Sequence, residues 1–181
     1  MMRVAFQGEP GAYSELAVYS HFPNALAVAS RQFKNVIEAV TTDLVDAGVL
    51  PVENSLAGMV PEVADLLTDE RLRLEAEFWL PIHHCLMAVP GAMVATIRSV
   101  LSHPVALAQC TNFFARHPGV AAVEWFDTAG ASRHVSRTGD ATLAAIASEA
   151  AAHRYNLDIL EKNLEDRDDN RTPRREVERC T

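Results

Sequence analysis

Short apolar runs alternate along this chain with stretches in which apolar residues recur at helical spacing, and each change of period marks a predicted element. Val4 to Gln7 is an apolar run ending at Gly8, which reads as a buried strand. Gly8-Glu9-Pro10-Gly11 supplies a turn, and Tyr13 to His21 then reads as a helix. Phe33, Val36, Ile37 and Val40 predict a second helix. Ala47 to Val52 is a second buried strand, with Glu53-Asn54-Ser55 directly at its carboxyl end. Pro61 to Leu67 opens with a proline suited to a first helical turn. Leu72 to Phe78 alternates apolar and charged residues, as a half-exposed strand does.

From Pro81 the pattern starts again. Ile82 to Val89 reads as a strand, and Ile97 to Leu101 as a short strand running into Ser102-His103-Pro104. Val105 to Arg116 is helical in pattern, Val120 to Phe126 a strand and Thr128 to Val135 a helix. Leu143 to Ala147 is an apolar strand, Ser148 to Tyr155 a short alanine-rich helix, and Leu157 to Leu160 a last strand. The tail from Asn163 is highly charged and less regular. Strands alternating with helices imply an α/β protein with parallel sheets and βα crossovers. The break near Phe78 to Pro81 divides it into two lobes: residues 1–78 with the tail 157–181, and residues 81–156.

With 181 residues, 49% of them hydrophobic, the chain can bury a real core. A formal net charge of -8 argues against nucleic-acid or anionic-membrane partners, whose phosphates need a basic face. Cys85, Cys110 and Cys180 are far apart and odd in number, so they suit neither a disulfide framework nor zinc. No signal peptide or membrane span is expected, and the cytoplasm is the expected setting.

Ligands of open α/β sheets bind at the carboxyl ends of strands, so the polar groups there carry the candidate chemistry. Asn54 and Ser55, Ser102 and His103, and Asp127 and Thr128 each follow a strand and open a helix, where free N–H groups attract anions. The competing explanation is plain helix capping. Glu53 follows an apolar strand, where a carboxylate is costly unless paired or functional. His103 could serve as acid, base or donor. His83 and His84 read as core or lobe-joint residues, and Cys110 as packing. Neither a metal-ligand spacing nor a nucleotide fingerprint is present; Gly8-Glu9-Pro10-Gly11 lacks the Lys-Ser/Thr of a phosphate loop.

Taken together these segments resemble the prephenate and arogenate dehydratases. Phe6-Gln7-Gly8-Glu9-Pro10-Gly11-Ala12-Tyr13-Ser14 is similar to the family's opening strand, turn and helix, and Glu53-Asn54-Ser55 to its Glu-Asn-Ser segment. Ser102-His103-Pro104 through Ala106-Leu107 to Gln109-Cys110 is similar to its Ser-His-Pro block. Thr128-Ala129 stands where the family opens a helix with Thr-Ala, and Asn170-Arg171-Thr172 approaches its final Asn-x-Thr-Arg-Phe motif. The resemblance implies a periplasmic-binding-protein-like (type II) fold of two lobes with the ligand in a central cleft. It implies cofactor-free conversion of prephenate to phenylpyruvate in phenylalanine biosynthesis, by an enzyme that forms a homo-oligomer, a dimer or tetramer. Relatives often carry a following ACT domain, which is not expected within this chain.

By resemblance Thr172 is the residue most tied to catalysis, with Glu53 and His103 as supporting candidates. Asn54, Ser55, Ser102, Gln109, Thr128, Ala129, Asn170 and Arg174 are the expected substrate-binding residues. The chain departs from the family after Thr172, where Pro173 and Arg174 replace Arg-Phe. Arg174 is expected to stand in for the missing arginine from one position along. Pro173 removes a backbone donor, and Arg174 to Arg179 gives charge where an apolar closing strand is expected. Two alternatives stay open: an arogenate dehydratase, and a small-anion binding or sensory module that keeps the fold without turnover. A solute-binding protein of similar fold is a third, weakened by the missing signal peptide.

Overall fold

Residues far apart in sequence return to share each of two five-stranded sheets. The computed structural model describes residues 1–54 and 58–180. The chain divides into two units, Met1–Glu9 with Tyr13–Ile82 and Asp169–Thr181, and Pro10–Ala12 with His83–Asp168. The first holds β1 (Arg3–Gln7), α1 (Tyr13–His21), β2 (Leu26–Ser30), α2 (Phe33–Thr41), β3 (Ala47–Pro51), β4 (Glu53–Asn54), β5 (Gly58–Met59), α3 (Pro61–Leu66) and β6 (Leu72–Pro81). The second holds β7 (Cys85–Ala88), β8 (Ser99–Ser102), α4 (Pro104–Ala108), α5 (Thr111–Arg116), β9 (Ala121–Glu124), α6 (Thr128–Thr138), β10 (Leu143–Ala147), α7 (Glu149–Tyr155) and β11 (Asp158–Glu161). The chain then re-enters the first unit as β12 (Arg171–Arg179).

In the first unit the strand order is β2-β1-β3-β12-β6. β1 pairs parallel with β2 and β3, while β12 runs antiparallel to both β3 and β6. Ala5, Val36, Ile37, Val40, Leu50, Val63 and Val177 form its core. Gly48 lets α2 approach β3 closely: a Cβ there would lie 2.8 Å from Val36 Cγ1 and 3.0 Å from Val177 Cγ2.

In the second unit the order is β11-β7-β10-β8-β9. β8, β9 and β10 are parallel, and β7 runs antiparallel to β10 and β11. Strand alternation gives this sheet two cores. Leu86, Ala88, Val100, Ala144 and Ile146 pack with Phe113 and Cys110 on one side. Cys85, Met87, Leu101, Ala145 and Ala147 pack with Ala131, Val135 and Ala151 on the other. Ser148 caps α7 by accepting from Ala151 N and donates its own hydroxyl to Gly11 O at 2.7 Å. Tyr155 donates to Pro10 O, so the carbonyls of Pro10 and Gly11 are held by the two ends of α7.

The structure differs from the sequence-based expectation in four places. The sheets are mixed, because β7 and β12 enter them in the opposite direction. β2, an edge strand with only β1 beside it, carries no clear alternation. The helix expected over 105–116 breaks at Gln109-Cys110 into α4 and α5. The return to the first unit comes at Asp169, not at 157, because β11 pairs with β7.

The buried His84 ring N–H donates to Gln109 Oε1 at 2.9 Å. Its backbone N–H donates to Glu165 Oε2, and His83 meets Glu165 Oε1 at 2.8 Å. Burial depresses the His84 pKa, with the Gln109 hydrogen bond and the Glu165 charge opposing it.

Two outcomes follow for stability. Gly48→Ala should destabilise by about 1–3 kcal/mol, since stiff valines line the space; denaturant unfolding measures it. As pH falls through the ordinary histidine range near 6.5, the unfolded chain binds a proton that folded His84 refuses. Stability is therefore lost below that range and unaffected by His84 above it. Unfolding of His84→Gln between about pH 7.5 and about pH 5.5 should show a smaller loss than the parent chain.

Candidate functional site

In the first unit the candidate residues gather on β12 and the segment after β3. Asn170 is buried, and its carbonyl accepts from Ile82 N–H at 2.9 Å. Thr172 is 6% exposed and sits opposite Leu80 of β6. Arg174 is 5% exposed, opposite Pro51 of β3 and Phe78 of β6, and its Nη1 donates to Ser14 Oγ at 3.1 Å. Strand alternation puts Thr172, Arg174 and Glu176 on one face, where Arg174 and Glu176 meet Ser14 and His21 of α1.

Pro173 does not break this strand. Its carbonyl accepts from Val52 N–H, and a strand residue's N and O point the same way. The missing N–H therefore faces the β3 side, just beyond the last paired position at Pro51. The charges that stand where an apolar closing strand was expected are matched across the ladder. Arg175 lies opposite Glu77 and bonds it at 2.9 Å, and Glu178 lies opposite Arg73 with 3.4 Å between charged atoms.

Glu53 is exposed on β4, which pairs with β5. β3 ends at Pro51 and the chain turns into that short hairpin, so Glu53 stands in solvent and is not the costly buried carboxylate expected from sequence. Asn54 lies beside it on β4, opposite Gly58. Ser55 lies outside the described residues.

In the second unit the candidates sit at the carboxyl ends of two neighbouring parallel strands, β8 and β9. Ser102 is fully buried and donates its hydroxyl to Ile146 O at 2.6 Å, tying β8 to β10. His103 caps α4: its Nδ1 accepts from Val105 N–H, which leaves the ring proton on Nε2. Burial lowers the His103 pKa, against the opposing charges of Asp127 and Glu124. This imidazole is thereby biased toward its neutral form, a hydrogen-bond donor more than an acid. Asp127 caps α6 by accepting from Gly130 N–H. The N–H groups of Thr128 and Ala129 precede the first turn's closing bond, from Ala131 N to Asp127 O. Gln109 is engaged with His84 inside the unit, so its amide serves the core.

Capping thus accounts for much of what the strand-end motifs do. Thr128 and Ala129 keep the anion-attracting positions, Asp127 holds the turn that presents them, and His103 holds the start of α4. Ser14 was missed as a site residue; its partner lies 160 positions away, and only its place in the Tyr13-Ser14 opening of α1 hinted at it. Glu165 and Asp166, in the charged stretch after Asn163, are anchors: Glu165 holds His83 and His84, and Asp166 caps Thr111 and Asn112 of α5. Among the described residues, no group of three or more His, Cys, Asp or Glu could hold a metal, and no helix is long and apolar enough to cross a membrane.

A chain of arogenate dehydratase/prephenate dehydratase 1 from Arabidopsis thaliana is 46% identical over 165 residues, 91% of this chain and 42% of the relative. This chain therefore spans about two fifths of that relative's length. The structure of prephenate dehydratase from Arthrobacter aurescens in complex with L-Phe superposes with a TM-score of 0.91 at 27% identity, over 99% of this chain and 61% of that one. A protein described as a novel type of quorum quenching acylase superposes equally well, 0.91, at 37% identity over 99% of this chain and 64% of its own. A periplasmic substrate-binding protein of an ABC transporter from Coxiella burnetii, 14% identical with a TM-score of 0.50 over 96% of this chain and 84% of that one, shares the two-lobed type II fold. The family model for prephenate dehydratase matches residues 4–174, nearly the whole length, and the chain belongs to the prephenate dehydratase family.

Proposed function

We propose that this chain carries the catalytic part of a prephenate dehydratase, which converts prephenate to phenylpyruvate, carbon dioxide and water. The observation that carries this reading is Thr172, buried in β12 within a family match that ends two residues later. In the reaction the bond from the ring to its carboxylate breaks, and its electron pair enters the ring as the C–O bond to the ring hydroxyl breaks. Aromatisation drives the step, so the protein's task is to hold the dianion and assist the departing hydroxyl.

In this proposal the Thr172 hydroxyl donates a hydrogen bond to the departing oxygen, which leaves as hydroxide and becomes water with a proton from solvent. Thr128, with the N–H groups of Thr128 and Ala129, receives a carboxylate, and neutral His103 contributes its Nε2–H. Asn54, Ser55 and Asn170 belong to the same binding proposal. Ser102 and Gln109 act through the positions they fix, since their polar groups are bound to Ile146 O and His84. Glu53, exposed on β4, gains no chemical role from burial.

The likeness to the acylase does not favour acyl transfer here. Such chemistry needs an activated nucleophile, yet the hydroxyls of Ser102 and Ser148 are given to backbone carbonyls, and burial pushes the Cys110 thiol pKa up. We also propose a cytoplasmic setting, supported by three unpaired cysteines. Assembly as a dimer or tetramer belongs to the same reading, supported by exposed Leu74 and Trp79 on edge strand β6.

Purified protein given prephenate should form phenylpyruvate, and Thr172→Ala should lower turnover by roughly a hundredfold or more while ligand binding persists. Turnover unchanged by Thr172→Ala would overturn the assigned role. Tight binding of prephenate without product would point instead to the binding module, and product from arogenate alone to the arogenate dehydratase.

A further inference from the structure

Arg174 is the most unusual charge in the first unit. Among the described residues its side chain makes one hydrogen bond, from Nη1 to Ser14 Oγ, and its Nε is buried with no partner. Glu176, two residues along the same face, is taken by His21 at 2.9 Å. Burial alone, with no neighbouring carboxylate offsetting it, brings the Arg174 pKa down to about 10. A guanidinium held this way is costly, and an anionic ligand would supply what the protein does not. Ser14 is the second residue of the nine-residue helix α1 and is 7% exposed, so the guanidinium is aimed at a helical first turn whose N–H groups also favour negative charge.

We propose that Arg174 and Ser14, at the first turn of α1, form a subsite for an organic carboxylate that favours the keto acid over the amino acid form of the substrate; this rests on the dehydratase reading above. The planar guanidinium suits a carboxylate, which can lie across two of its N–H groups. A keto acid brings that carboxylate with no charge beside it. The amino acid form brings an ammonium on the adjacent carbon, close to a cation that no protein carboxylate neutralises. Like charges repel strongly in so dry a place, so arogenate is disfavoured relative to prephenate.

The test uses Arg174→Met and Arg174→Lys, with thermal unfolding in the presence and absence of phenylpyruvate, and kinetics on prephenate and arogenate. Arg174→Met should fold with equal or higher Tm, because an uncompensated buried charge is gone. Its affinity for phenylpyruvate should nonetheless fall about tenfold or more, so that the ligand raises the Tm of the parent chain alone. Arg174→Lys, which keeps the charge without the fork, should be intermediate, and it decides the matter if Arg174→Met does not fold. With prephenate the loss should appear in KM, and the parent chain's preference for prephenate over arogenate should narrow. Phenylpyruvate binding unchanged in the variants would overturn the subsite, and a parent chain that prefers arogenate would overturn the selectivity. If folded parent protein turns over neither substrate, the dehydratase reading fails while the phenylpyruvate arm still decides the subsite.

Discussion

The first unit depends on the chain coming back to it as β12. In the order β2-β1-β3-β12-β6, β12 is, among the described residues, the one strand joining β6 to the rest of the sheet. Its hydrogen bonds to β3 and β6 therefore close the sheet, and the same bonds fix where Thr172 stands. A strand inserted between two neighbours has no freedom to slide, because a one-residue slip would turn every side chain to the opposite face. Fold and candidate chemistry share one element here. Damage to the ladder is also damage to the site.

That strand was the least legible part of the sequence, and the reason is physical. Central strands usually announce themselves by apolar runs, as β1, β3 and β10 do, since both faces are covered. β12 is instead written in charges whose partners lie about a hundred positions upstream, Arg175 with Glu77 and Glu178 with Arg73. Cross-strand pairs of this kind specify register well but leave no local pattern to read. β2 was missed for a different reason: an edge strand of small residues carries a weak period. The candidate residues at the ends of β8 and β9 were legible, because a strand followed by Ser-His-Pro or Asp-Thr is a local signal. Their division of labour was not, since it depends on which carbonyl or ring each side chain meets. Glu53 shows the limit of burial arguments from sequence, for one turn after an apolar strand suffices to reach solvent.

The departure from the family motif after Thr172 can now be judged by geometry. An arginine directly after the threonine would point to the face opposite Thr172, because successive strand residues alternate. At 174 the guanidinium shares the threonine's face, on which α1 supplies Ser14. Arg174 therefore does not replace a missing arginine by standing one place along. The shift carries the charge through the sheet. Proline is tolerated at 173 because its absent N–H falls beyond the paired part of β3, while Thr172 and Arg174 keep their places opposite β6. The segment thus keeps the threonine in register and moves the cation beside it, which changes the electrostatics around Thr172 without changing the strand that holds it.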